Sequence, residues 1–213
     1  MTSLPPATPL ERIAGHPALE AALTFVGAAS GTPLAALLPV LMKSLASERQ
    51  RLRVESTLSE MAAILSKHED RLRTLSDPQY KLLNETLLAL LHTTEVEKYQ
   101  YLRRAVANTL FESELVAQDA AVLSRTVRDM SAAEAAFVIR NFGFSRVWLT
   151  TAENETDGKA LLVEPNSHEA VIVSGLASLG LLLSSSSDYA GLGMLSWSPV
   201  TAKLIAILRD TDA

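Results

Sequence analysis

The chain of 213 residues contains no cysteine. This absence excludes disulfides, thiolate metal sites and a cysteine nucleophile, and it fits a reducing compartment. The first fifteen residues also lack the basic and apolar regions of a secretory signal. We therefore expect a cytoplasmic protein and interpret residues 1–17 as a flexible lead.

Motifs for catalysis, metal binding or cofactor binding are lacking as well. The four histidines are far apart, and consecutive His68, Glu69 and Asp70 would point about 100° apart on a helix, too far to share one ion. The glycines of "GLASLG" and "GLGML" lack the context of a phosphate-binding loop, and "SSSS" is not a nucleophile elbow. We expect no metal, no cofactor and no enzyme, although a catalytic site assembled from distant residues stays open.

The segment 18–42, "ALEAALTFVGAASGTPLAALLPVLM", carries only one charge, that of Glu20. Its length would suffice for a bilayer span of about 20 residues. Four helix breakers divide it, which favours buried or partner-facing helices instead: Gly27, Gly31, Pro33 and Pro39. Membrane contact is the alternative, because basic residues that follow could engage anionic lipid or a protein partner. These residues are Lys43, Arg49, Arg51 and Arg53.

Residues 44–75 contain neither proline nor glycine, and their apolar residues recur at helical spacing in a narrow stripe. This pattern predicts one long helix. A stripe this narrow is typical of packing against the next helices or against a second copy, so we expect a homo-oligomer. The candidate self-association residues, which we call the leucine seam, are Leu45, Leu52, Leu58, Met61, Leu65 and Leu72.

Capping residues predict where the following helices begin. "SDPQY" favours a helix start at Ser76 or Asp77 with proline in its first turn. Thr94 with Glu97, and Ser131 with Glu134, have the spacing of capping boxes. With the long central helix, these helices predict a helical domain over residues 18–130.

The apolar period changes from 3.6 to 2 after Gly143, which we interpret as a helix stop. "RVWLTT" and "ALLVEP" flank a polar loop and predict a hairpin. A capped helix, two further strand-like runs and a final helix starting at Ser198-Pro199 follow. The sequence thus predicts a mainly α protein, in which a helical bundle precedes a winged-helix-like α+β unit with short hairpins over residues 131–213.

The residues of this unit do not favour nucleic-acid binding. From residue 132 onward there are five basic and nine acidic residues, a net charge of −4. The candidate reading helix, "SHEAVIVSGLASLG", offers no Arg, Lys, Asn or Gln to base edges, and the wing "SSSSDYAGLGML" has an aspartate but no base. We therefore expect the helix to contact protein rather than DNA.

Three features resemble the abortive-infection alpha family of bacterial proteins. They are the broken apolar N-terminal segment, the core "TTEVEKYQYLRRAVANTL", and a final unit with "SGLASLGLL", "DYAGLGMLS" and "SPVTAKLIAIL". The resemblance concerns layout over residues 18–208 and implies a role in phage defence, without catalytic residues.

The leading hypothesis is a non-enzymatic bacterial protein that acts by protein contact and self-association, as a phage-defence component. One alternative is a winged-helix transcriptional regulator, with the basic N-terminal helix supplying charge for DNA. A second alternative is a membrane-active effector that inserts or docks through residues 18–42.

Overall fold

The computed structural model describes residues 48–151, 158–184 and 193–210. These residues form eight helices and a four-stranded sheet, which confirms a mainly helical fold with a small sheet in the C-terminal part. The elements are α1 Glu48–Lys67, α2 Glu69–Leu72, α3 Asp77–His92, α4 Val96–Thr109, α5 Ala117–Asp129, α6 Ala132–Asn141, β1 Arg146–Leu149, β2 Ala160–Val163, α7 His168–Ser178, β3 Leu182–Ser184, β4 Gly193–Trp197 and α8 Pro199–Leu208.

Helices α3 and α4 organise the core. Helix α3 packs against α4 and α5, and α4 also packs against α1, α6 and α8. The inner face of α3 includes Leu83, Leu87 and Leu90, which are buried. One continuous apolar cluster runs from α1 to α8 and the sheet. The predicted domain boundary at residues 130 and 131 falls between α5 and α6, inside this cluster, and stays a prediction.

Three of the four helix starts predicted at named residues are confirmed, at Ser76, Ser131 and Ser198. Ser76 and Ser131 are N-caps of α3 and α6, and each forms a capping box. The predicted Thr94–Glu97 box is wrong, because α4 begins one residue later than that box requires. Its N-cap, Glu95, has no side-chain capping bond and instead accepts a hydrogen bond from the backbone N–H of Ala132, at 2.7 Å.

The predicted single helix over residues 44–75 is wrong beyond Lys67; residues 44–47 lie outside the described part. The helix stops at His68, whose backbone (φ −117°, ψ 36°) is not helical, and α2 begins at the next residue. No local breaker explains the stop. The ring of His68 packs edge-on against Phe111, with centroids 5.2 Å apart, so we attribute the break to a tertiary contact.

The sheet has the strand order β2-β1-β4-β3. Strands β3 and β4 are antiparallel, and β4 is antiparallel to β1. The predicted hairpin between β1 and β2 is wrong, because these strands run parallel, with Val147 opposite Leu161. A tight two-residue turn would force antiparallel pairing, whereas ten residues separate β1 from β2.

The inner face of the sheet packs on the helices. Val147, Val163 and Leu182 are buried there, and α7 contacts both β3 and α6. Helix α6 ends at Asn141, shortly before the predicted stop at Gly143. Within the described ranges, no helix is both long and apolar enough to cross a membrane; residues 18–42 lie outside them.

Candidate functional site

Helix α7 presents its outer side without a basic residue. Ser167 caps the helix by accepting a hydrogen bond from the backbone N–H of Ala170, at 3.2 Å. The outward residues include Glu169 and Val171, and Val171 is 68% exposed. Since neither lysine nor arginine occurs in α7, its surface offers no guanidinium or ammonium donor to a phosphate or a guanine.

Helix α8 carries one basic side chain, Lys203, and this side chain is paired within the chain. Lys203 on α8 donates a hydrogen bond to the carboxylate of Asp119, at 2.6 Å. This hydrogen bond raises the pKa of Lys203, and the carboxylates of Asp119, Glu112 and Glu114 add to the effect. The charge of Lys203 is therefore neutralised within the chain.

The outer face of the sheet is mainly apolar. Because side chains alternate along a strand, the neighbours of buried Val147 and Val163 point away from the helices. In one row, Trp148 lies between its strand partners Leu162 and Met194. In the next row, Arg146 lies between Ala160 and Ser196, and Leu183 on β3 follows Ser196. We define the outer face as Arg146, Trp148, Ala160, Leu162, Leu183, Met194 and Ser196.

Part of the outer face is open to solvent. Leu162 is 38% exposed and Leu183 49% exposed, while Trp148 and Met194 are half-buried. The guanidinium of Arg146, the one charged group of this face, lies 3.8 Å from the Met194 sulfur. A row of apolar side chains across three strands, with an exposed leucine of the fourth strand beside it, is typical of a surface that contacts another protein.

The leucine seam is mostly core. Leu58, Met61, Leu65 and Leu72 are buried within the chain. They already pack against other helices of the same chain, so their role in self-association stays a prediction. Leu52 is 55% exposed, and Leu45 lies outside the described residues.

The basic candidates do not form one described patch. Lys43 lies outside the described residues, and Arg49 and Arg51 belong to the first turn of α1. Arg53 is exposed and lies in a shallow cleft with Tyr99 of α4. Burial raises the pKa of Tyr99, and the nearby charge of Arg53 opposes this shift. Arg53 thus faces α4 rather than only solvent or lipid.

Two buried polar side chains that the sequence did not predict cap distant helices. Lys98 donates a hydrogen bond to the backbone oxygen of Arg128, at 2.7 Å, at the end of α5. Asn108 donates to backbone oxygens at the end of α8, including that of Arg209 at 2.9 Å. Both side chains cap helices that lie at least 30 residues away in sequence, so no local pattern could have revealed them.

The described residues contain no group of three or more His, Asp or Glu side chains arranged to hold a metal ion. In comparisons with known proteins, no family model, curated protein or solved structure matches the chain.

Proposed function

We propose that this chain is a non-enzymatic protein-interaction module that associates with a second copy of itself through the outer face of the sheet. The observation that carries the proposal is the in-register apolar row of Leu162, Trp148 and Met194, with Leu183 exposed beside it. Covering this row would remove apolar surface from water, the main favourable term in protein association.

We favour a second copy of the chain as the partner, because two identical outer faces can pack against each other. A two-fold axis brings the same patch together from both copies. Sheets pack face to face with their strands roughly aligned, about 10 Å apart. The arrangement keeps the acidic charges of the C-terminal unit outside the contact, since the outer face has no acidic residue.

Charge substitution on the outer face tests this proposal. We expect wild-type protein to sediment as a dimer at tens of micromolar and Leu183→Glu to sediment as a monomer. Leu183 is half exposed, so the glutamate should be tolerated in the folded monomer. Val116→Glu is the matched control, because Val116 is 55% exposed before α5 and lies off the sheet. It should leave the dimer intact.

Two results would overturn the proposal: a wild-type monomer at these concentrations, or equal sedimentation of the Leu183 and Val116 variants. Circular dichroism of each variant checks that a change in mass does not come from unfolding.

DNA binding is the second candidate function, and the order of elements favours it. An antiparallel β3–β4 ribbon follows α7 directly, and β4 pairs with β1, as a winged-helix unit would require. The lack of basic residues on α7 argues against it. We therefore propose that the winged-helix-like arrangement serves protein contact.

Resemblance to abortive-infection proteins supports phage defence as the setting of this contact. A bacterial host that expresses the wild-type chain should then plate phage less efficiently than one that expresses Leu183→Glu. Equal plating with and without the wild-type chain, across a panel of phages, would contradict this role.

A further inference from the structure

A cleft of about 420 Å³ opens beside the break between α1 and α2. Its walls come from the end of α1, the end of α4 and the outer side of α8. The apolar part consists of Ile64, Ala107, Phe111 and Ala206. This volume lies within the range of about 300–1,000 Å³ in which proteins bind small molecules.

Phe111 forms an exposed aromatic wall whose orientation is fixed. It is 47% exposed, although it lies directly after α4. The His68 ring meets it edge-on, and the guanidinium carbon of Arg71 lies 5.4 Å from its centroid. Both contacts hold the ring in place while nearly half of the residue stays open to a ligand.

The helix break brings these groups together. Residues 44–75 contain no proline or glycine, so the local pattern favours an uninterrupted helix. The observed stop at His68 lets both His68 and Arg71 contact Phe111. Disagreement between local preference and fold is expected at functional sites, where a geometry is kept for a purpose other than stability.

Two cations are available to an anion, Lys67 in the lining of the cleft and Arg71 over the Phe111 ring. Arg73, Arg103 and Lys203 form ion pairs with Glu69, Glu60 and Asp119, respectively. Lys67 and Arg71, by contrast, have no carboxylate partner within residues 48–151, 158–184 and 193–210.

One acidic residue, Glu112, also lines the cleft. Its carboxylate is near enough to Lys203 to help raise the pKa of that ammonium, so its charge is partly balanced. Lys67 in the lining and Arg71 over the Phe111 ring therefore form the part of the site that favours a negative charge.

We propose that the cleft binds a small aromatic carboxylate, with its ring against Phe111 and its carboxylate beside Lys67 and Arg71. A guanidinium stacked over an aromatic ring keeps its in-plane N–H groups available to a carboxylate. Walls from three helices suit a compact ligand better than an extended peptide. This site is separate from the outer face of the sheet and does not depend on the proposed function.

Calorimetric titration of the full chain with 1-naphthoate and 1-naphthamide tests the proposal. The two probes share an aromatic body and differ in charge, so we expect the acid to bind at least tenfold more tightly than the amide. Nuclear magnetic resonance titration should show the largest shifts of backbone amides at residues 67–71 and at Phe111.

Variants separate the two parts of the site. Lys67→Gln combined with Arg71→Gln should abolish the preference for the acid and leave binding of the amide unchanged. Phe111→Ala should weaken the binding of both probes. The matched control combines Lys81→Gln with Arg125→Gln, which removes the same charge from exposed positions on α3 and α5 and should preserve the preference.

Several results would overturn the proposal. They are equal affinity for acid and amide, shifts centred outside the cleft, or the same loss of preference in the control variant. Binding of an acidic peptide without binding of naphthoate would also reject a small-molecule site. If Phe111→Ala does not fold, the double variant at Lys67 and Arg71 still tests whether these cations cause the preference for the acid.

Discussion

At the residue scale, Lys98 shows how a charge is kept inside the helical part. Its ammonium caps the end of α5 through the backbone oxygen of Arg128. Burial lowers the pKa of Lys98, and the carboxylates of Glu95, Asp129 and Glu134 oppose this shift. The desolvation of the ammonium therefore costs stability wherever Lys98 is charged in the folded state.

The lowered pKa predicts a pH dependence of stability. Between the folded pKa and about 10.4, the unfolded chain binds more protons at this residue than the folded chain. The free energy of unfolding of the wild type, relative to Lys98→Met, should therefore rise with pH in that window. Urea denaturation of both proteins from pH 7 to 10.5 measures the difference, and a difference that falls with pH would contradict the assignment.

At the element scale, α1 joins the core through its buried face. Leu65 on that face is 1% exposed, whereas Leu52, on the same helix, is largely exposed. The buried seam residues, Leu58, Met61, Leu65 and Leu72, therefore form an intramolecular contact. They stabilise the folded chain, whatever the oligomeric state.

Leu65→Asp should unfold the chain rather than only dissociate an oligomer. An unpaired buried carboxylate is expected to lower the free energy of unfolding by about 3 kcal/mol or more. Leu52→Asp is the control and should change it by less than about 0.5 kcal/mol. Urea denaturation followed by circular dichroism compares them. A folded, monomeric Leu65→Asp protein of wild-type stability would refute the intramolecular packing.

The contact between α6 and α7 depends on Gly175. A Cβ atom there would lie 1.9 Å from Oε1 of Glu134. The other carboxylate oxygen of Glu134 accepts hydrogen bonds from Ser131 in the capping box of α6. A side chain at position 175 would thus displace the Glu134 carboxylate, which already accepts these hydrogen bonds.

A double-mutant cycle tests this coupling. Gly175→Ala should gain about 1 kcal/mol of helix propensity, but in the wild type it also disrupts a cap worth about 1 kcal/mol and adds steric strain. We expect no net stabilisation in the wild type and about 1 kcal/mol of stabilisation in the Glu134→Ala background. Thermal or urea denaturation of the four proteins gives the coupling, and equal effects in both backgrounds would disprove it.

At the scale of the whole molecule, the net charge predicts weak binding of nucleic acid. The chain has a net charge of −5, and most of this excess lies from residue 132 onward. Non-specific binding of duplex DNA at physiological salt should therefore be no tighter than about 10⁻⁴ M. Fluorescence anisotropy with a labelled duplex at several salt concentrations measures this affinity. Salt-dependent binding at sub-micromolar protein would favour the transcriptional regulator instead.

Local patterns in the sequence were sufficient for the helix starts at Ser76 and Ser131 and for the mainly helical character of the chain. Capping depends on groups within three residues of each other, and the apolar period depends on one turn of helix. These features can be read without knowledge of the fold. The lack of Lys and Arg in the candidate reading helix can also be read from the sequence alone.

The tertiary structure alone decided the break at His68, the parallel pairing of β1 with β2 and the capping role of Lys98. Each depends on a partner far along the chain: Phe111 for His68, the returning strand for β1, and Arg128 for Lys98. The outer face also emerged only from strand register, which aligns Trp148 with its neighbours on two strands. Such partners are chosen by packing of the whole core, and no local pattern encodes that choice.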